Sequence, residues 1–348
     1  APHEATAWSP VVAERSGGNP FLAAELIRHL EAGGDPTAVP RSVEATIAAE
    51  VGRLGSDADA LVRVVAVAGT PHPTEALIDA ADLDPATASA AIAALVGAGL
   101  VQTDGDRTML WPSHDLVRGA VAGMVDAHLA RRIHRALAES LAAWGPDVDH
   151  DRFRHLLVAA TGTAGADGAA LDEVAVRLFR RLGAESSLAD VVLLGEQYLA
   201  QAEAAPVTRA GIEARLLVAA AHFATGDAVA AERLMAATRP HLRALDDAAL
   251  SADAILTRSS FALTVPEADA WATDGEAVLD RLPSDERRRR VELACWLGHH
   301  RVRAGHTAAA RRLSLLADAS LDVLSAPAQR AGVLGLRYQV AIAVDAPA

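Results

Sequence analysis

Apolar residues in the first third of the chain fall at helical spacing, and Gly, Pro and Asp interrupt them at intervals. Ala13, Leu22, Leu26 and Leu30 lie at about helical spacing across residues 10–31. Gly17-Gly18-Asn19-Pro20 breaks the segment, and proline suits the first helical turn, where its missing N–H is not needed, so a new helix is expected to begin near Pro20. Gly33, Gly34, Asp35 and Pro36 end it. Helices are expected at 42–54, 57–69, 74–81 and 85–98, with Ser42 as an N-cap that lacks a capping box because Ala45 stands three residues on. Gly99 stops the fourth of these helices. Leu100 to Thr103 reads as a strand, Asp104-Gly105 as a hairpin turn, and Thr108 to Trp111 as the return strand. A helix then runs from Ser113, read as a cap near His114, to about 125, and another covers 127–144.

From about 150 onward the pattern is helical throughout, and it repeats. Gly226-Asp227-Ala228-Val229-Ala230-Ala231-Glu232-Arg233-Leu234 resembles Gly305-His306-Thr307-Ala308-Ala309-Ala310-Arg311-Arg312-Leu313, 79 positions later. Val265 to Trp271 lies halfway, and Ser186-Ser187-Leu188-Ala189-Asp190 about one period upstream. A period near 40 lies within the ~34–47 residues of paired-helix repeats, in which each unit buries its apolar face against the next. The expected fold is mainly α: a small winged-helix domain with a short β-hairpin, then a tetratricopeptide-like α-helical repeat array. The expected division is 1–38, 39–145, 146–184 as a helical connector, and 185–348 as the array. Turns inside the pairs are expected at Thr225-Gly226-Asp227 and Ala304-Gly305-His306, with a degenerate one near Thr264-Val265-Pro266. Ala230 and Ala309 are expected to face the preceding helix at close range.

Composition narrows the function. Every one of the 32 basic residues is Arg, which most simply reflects GC-rich coding. A P-loop places a Lys on the β/γ-phosphates, so P-loop hydrolysis by this chain is excluded. The net charge is -13, and residues 1–128 hold 7 Arg against 17 acidic residues, a surface that repels nucleic-acid backbones. The predicted helix from Pro85 to Gly97, the candidate recognition helix, carries no charge, so DNA readout is not expected. The lone Cys295 excludes an intrachain disulfide framework and a cysteine-based zinc site. No apolar run of about 20 residues and no opening signal peptide are present, so a cytoplasmic protein without membrane contact is expected. The Ala-Pro-His start reads as a piece of a longer protein.

Glu14-Arg15-Ser16-Gly17-Gly18-Asn19-Pro20-Phe21-Leu22, with Glu25-Leu26, resembles the lid-helix motif of STAND-class ATPases, among them the large ATP-binding regulators of the LuxR family. Val39-Pro40, Val43 and Arg53-Leu54 resemble the next stretch of that family's sequences. Ser113-His114-Asp115-Leu116-Val117-Arg118, then Arg131 to Ala138, resembles the end of its winged-helix domain. The resemblance covers 14–140; beyond 185 it is architectural only. It implies that Pro20 lies near the adenine and His114 near the β-phosphate of ADP in a full-length parent, where Asn19 would also contact the nucleotide. The P-loop core is missing, so half of a nucleotide site is implied, no cofactor is expected in this chain, and nothing catalytic is carried over.

The expected role is therefore non-catalytic: a helical-repeat sensor coupled to a nucleotide switch in a transcriptional regulator, with a protein or small-molecule effector on the array. A free-standing scaffold for protein–protein interaction is the alternative. His299, His300 and His306 form the one evident His cluster, but 299 and 300 point about 100° apart on a helix, so no metal site is expected. Arg287 to Arg290 reads either as a solvated helix start or as a contact patch for an acidic partner or phosphate. No paired-carboxylate, Ser/His/Asp or Cys/His arrangement is defined.

Overall fold

The computed structural model describes residues 2–16, 20–31, 33, 35, 41–161, 166–202, 208–259 and 265–345. It forms two compact units, 1–174 and 175–348. The described residues are mainly helical, with one small antiparallel sheet of three strands.

The first unit opens with α1 (Pro2–Ser16), α2 (Pro20–Glu31), α3 (Arg41–Leu54) and α4 (Ser56–Ala68). Then come β1 (His72–Pro73), α5 (Thr74–Ala80), α6 (Pro85–Gly97), β2 (Val101–Thr103) and β3 (Met109–Pro112). It closes with α7 (Asp115–Gly123), α8 (Ala127–Ser140) and α9 (Asp149–Ala159), and α10 (Ala166–Ala184) begins within it. Helix α4 is the hub: Leu61, Val62, Val64 and Val65 are buried, and α3, α5, α6, α7 and α8 all pack on it. Each such side chain, fully buried, contributes about 1.5–3 kcal/mol.

Local chemistry sets the ends of these helices. Asp84 caps α6 through the amides of Ala86 and Thr87, with Pro85 in the first turn. Gly99 ends α6 at φ 69°, where its amide and that of Leu100 bond back to Val96 and Leu95. Asp126 caps α8 through the amides of His128 and Leu129.

Three expectations change here. Ser42 lies inside α3, and its hydroxyl donates to Glu25 of α2 instead of capping. Ser113 donates to the Gly99 carbonyl at 2.6 Å, so the residue at the N-cap of α7 is His114. The hairpin loop is longer than an Asp-Gly turn: Asp104 begins a turn closed by the Arg107 amide, and the positive φ (57°) falls on Arg107, not on Gly105. Strand β1 was not expected; it pairs with β3 (His72 with Leu110), giving the order β1-β3-β2.

The second unit continues α10 and adds α11 (Leu188–Ala202), α12 (Arg209–Ala224), α13 (Ala228–Leu245), α14 (Ala248–Ser259) and α15 (Val265–Arg281). It ends with α16 (Arg287–Arg303), α17 (Thr307–Asp318) and α18 (Pro327–Asp345), and no strand occurs among its described residues. Gly226 (φ 96°) and Gly305 (φ 78°) sit in the turns, as expected. Both turns carry the same bonds: Gly226 to Phe223 and Asp227 to His222, then Gly305 to Val302 and His306 to Arg301. Ser186 (φ 64°) forms a third copy, with Ser186 bonded to Gly183 and Ser187 to Leu182. Thr264 lies outside the described residues, and Val265 opens α15.

The close alanines are off by one position. Ala231 and Ala310 are fully buried, whereas Ala230 and Ala309 are only partly so. The Asp227 carboxylate accepts the Ala230 amide, which fixes the first turn of α13 and brings the next residue round to the inner face.

Candidate functional site

Of the residues marked by the sequence, Asn19 lies outside the described residues, and Pro20 opens α2 with its side chain likewise outside them. His114 is half-buried at the N-terminus of α7, in extended backbone (φ −150°, ψ 155°), and its ring makes no capping bond. The positive end of the helix dipole lies here, a placement that favours a neighbouring anion.

The structure brings two of the motif segments together. Helix α1 packs on α7, and Arg15 Nε lies 4.0 Å from Asp115 Oδ2. Ser16 is buried beside Arg15 in sequence. Arg118 donates to the same carboxylate from Nε (2.8 Å) and Nη2 (2.6 Å). Both guanidinium groups are thus turned toward Asp115. One segment further on, Glu25 accepts from Ser42 and from Arg28, and these bonds, that from Ser42 foremost, hold its carboxyl below the usual range. The arrangement can orient the chain around the N-terminus of α7. It offers a phosphate His114 and the first-turn amides, with no Lys and no glycine-rich cradle.

Three histidines missed by the sequence reading form a row, two of them buried and His134 partly so. His72 Nε2 lies 3.1 Å from His155 Nε2, and His155 Nδ1 lies 2.8 Å from His134 Nδ1. They come from β1, α9 and α8, and His72 and His155 have no exposed surface. The row has one consistent direction when all three rings are neutral. His72 Nδ1 faces the Thr70 carbonyl at 2.9 Å, so it donates. His72 Nε2 must then accept from His155 Nε2, and His155 Nδ1 must accept from His134 Nδ1. Because His155 uses opposite nitrogens toward its two neighbours, the rings do not converge on one point as metal ligands would. Burial, followed by the neighbouring His134, His72 and Arg154, pushes His155 down to about 2. Burial and Arg154 push His134 down to about 4. No sequence signal pointed to this row, because its members lie 62 and 21 residues apart.

The other marked groups have structural partners. His299 contacts Gln339 and the Gly332 carbonyl, His300 stacks on Trp296, and His306 contacts Arg301, so the three do not converge. Among the described residues no group of three or more His, Cys, Asp or Glu could hold a metal ion. Arg287 bonds Asp322, Arg288 bonds Glu292, Arg289 bonds Asp253 and Glu286, and Arg290 bonds the carbonyls of Leu279 and Leu282. The run opens α16 with Arg287 and Arg288 exposed, as the helix-start reading has it, and Arg287, Arg289 and Arg290 also fasten that start to neighbouring elements. No described helix is long and apolar enough to cross a membrane. No protein-family model, curated protein or solved structure matches the chain.

Proposed function

We propose that this chain is the non-catalytic regulatory and signal-sensing portion of a STAND-like, ATP-dependent transcriptional regulator, in which a helical-repeat sensor biases a nucleotide switch. The observation that carries the reading is the meeting of Arg15 with Asp115, which joins the lid-like segment to the segment holding His114. A change transmitted to α7 would move His114 and α1 together, and so favour an ADP-bound closed state over an open one. Asn19, Pro20 and His114 would supply this chain's half of the nucleotide site.

Two further features support the reading. The order α4, α5, α6, hairpin, with β1 completing the sheet, fits a winged helix, and the exposed positions of α6, among them Ala86, Ser89, Ala90, Ala93 and Val96, offer no charge to DNA. In the second unit α12, α14, α16 and α18 begin at 209, 248, 287 and 327, a period of 39–40 residues, as a tetratricopeptide-like array would. Gly195 on α11 leaves room for Val218, and Gly275 on α15 for Leu297, a second pair of equivalent contacts. The scaffold reading draws on one observation of its own: Leu334, Tyr338 and Ile342 form an exposed apolar stripe on α18 at four-residue spacing.

The reading frame upstream of Ala1 tests the proposal. A glycine-rich loop ending in Lys-Ser or Lys-Thr is expected there, and the protein expressed with it should retain ADP and release it faster as H114A. A start codon immediately upstream would leave only the scaffold reading.

A further inference from the structure

Helices α13, α14 and α15 line a half-open cavity of about 190 Å³ in the second unit. Its interior is apolar: Leu242, Ile255 and Val278 line it, and all three are buried. Its polar wall is unusual for so acidic a chain. Arg239, Arg243 and Arg281 stand against Asp246 and Asp274, so the lining carries one excess positive charge while the whole chain carries -13.

The ion pairs show where that excess lies. Arg239 stacks over Trp271 at 5.1 Å and donates to Asp274 from Nε at 3.1 Å and from Nη2. The same carboxylate is shared with Arg243, whose Nη2 reaches both oxygens only at 3.3 Å and whose side chain is 65% exposed. Arg281 pairs with Asp246. One carboxylate thus serves two guanidinium groups, and the second is held at long range. An anionic group entering beside Arg243 gains a charge-assisted bond that Asp274 supplies only weakly.

We propose that this cavity binds a small organic monocarboxylate with an apolar body. The carboxylate is taken by Arg243, with Arg281 adding its field, and the body by Leu242, Ile255 and Val278. The volume lies below the ~300–1,000 Å³ of pockets that enclose drug-sized ligands, so the part of the occupant it holds is of small-metabolite size. Calling the occupant the effector rests on the sensor reading above; the binding itself does not.

The test is calorimetric titration of the whole chain with benzoate, phenylacetate and indole-3-acetate, with benzamide as the neutral counterpart and Trp fluorescence as a second readout. At least one carboxylate should bind with a millimolar or tighter Kd, and benzamide at least tenfold more weakly than benzoate. R243Q, at an exposed position, should weaken binding about tenfold without changing the far-UV circular dichroism. I255F, which fills the interior, should abolish binding, and if that variant misfolds R243Q still decides. No heat from any carboxylate at 10-fold excess over a millimolar Kd, equal binding of benzamide, or unchanged affinity in R243Q overturns the site. Carboxylate binding in a protein whose reading frame lacks an upstream P-loop would retain the site and remove the regulator reading. Silence of the cavity in a protein that has the P-loop would do the reverse.

Discussion

The two units hold their helices together with different electrostatics. The first carries 12 Arg against 24 acidic residues, and the second 20 against 21. Among the described residues of the first, most ion pairs are local and span one helical turn, Arg28–Glu25, Arg53–Glu50, Arg63–Asp59, Arg118–Asp115 and Arg154–Asp151, while Arg135–Asp167 links α8 to α10. In the second, many link residues 33–38 positions apart, on different helices or in the turns between them: Arg180–Glu213, Arg209–Asp247, Arg239–Asp274, Arg281–Asp246, Arg287–Asp322 and Arg289–Asp253. That separation is close to the 39–40-residue spacing of the helix pairs, so these bonds join one pair to the next. In the first unit the buried histidines His72 and His155 lie against each other, with His134 beside them, while in the second the buried His222 and His300 lie apart and the buried Arg258, at 2% exposure, bonds Glu232 at 2.6 Å. The first unit should therefore respond mainly to protons, and the second to packing and, weakly, to salt.

Acid gives the largest expected difference. His155 and His134 are held below the ordinary histidine value in the folded protein, so both are neutral there while the unfolded chain still takes up protons. Such groups have no effect above the unfolded value near 6.5, and they withdraw stability as the pH falls from there toward about 4 for His134 and about 2 for His155. The charged groups around the row do not offset this. Arg154 repels the added proton, and its carboxylate partner Asp151 lies 3.5 Å from that guanidinium. For the fully buried His155 the loss is on the order of 1 kcal/mol per pH unit. Hydrogen exchange followed by mass spectrometry between pH 6.5 and 4.5, corrected for intrinsic rates, should show the first unit loosening by on the order of 2 kcal/mol and the second much less. H155F should start less stable, by about 1–3 kcal/mol through the unpaired His72 nitrogen, but with a flatter pH profile. Equal loosening of both units would remove the distinction.

Packing in the second unit comes next. Ala310 is fully buried and Ala309 is not, so A310L should cost about 1–3 kcal/mol and A309L well under 1 kcal/mol. Chemical denaturation of the two variants compares them directly. The reverse order would mean that the inner face of α17 has been placed one residue out.

Some of this was legible in the sequence and some was not, for physical reasons. The turns at Gly226 and Gly305 could be read because a left-handed residue after a helix selects glycine. The copy at Ser186 has no glycine, and the period alone pointed to it. In α13 the inner alanine slipped by one because the Asp227 cap fixes the start of the helix, which an alanine-rich stretch does not reveal; α17 has no such side-chain cap, and its slip has no comparable account. Strand β1 has two residues, too few to show alternation. The Arg run could not be resolved, since its partner residues Asp253 and Asp322 are supplied by neighbouring elements about 35 positions away. Two segments that the sequence marked only by resemblance, around Arg15 and around Asp115, lie together, and the structure adds the Arg15–Asp115 contact between them.

Helix caps allow a smaller test of the local chemistry in the first unit. Asp126 accepts the amides of His128 and Leu129 at 2.8 Å each, and these bonds, that from Leu129 foremost among the favourable ones, hold its carboxyl below the usual range. D126A should weaken the N-terminus of α8, with faster exchange confined to the start of that helix. Loosening that reaches α4 and α5 to the same degree would mean the cap supports the whole unit and not one helix end.

The smallest expected effect concerns the interhelical ion pairs, where good geometry invites overestimation. Arg289 donates to Asp253 from Nε at 2.7 Å and from Nη2 at 2.9 Å, and its third partner is Glu286 at 2.6 Å. These bonds, that to Asp253 first, raise the guanidinium further above its already high value. Arg289 and Asp253 are nevertheless 31% and 38% exposed, so water screens the pair and both side chains lose freedom in forming it. A double-mutant cycle with R289Q and D253N should therefore give a coupling of about 0.2–1 kcal/mol, falling as ionic strength rises from roughly 0.1 to 1 M. The Glu286 contact survives in D253N, so the cycle isolates the link between α16 and α14. A coupling above about 2 kcal/mol that ignores salt would show the second unit to be held by desolvated charge, and the contrast between the two units would then have to be redrawn around Arg258 and its neighbours.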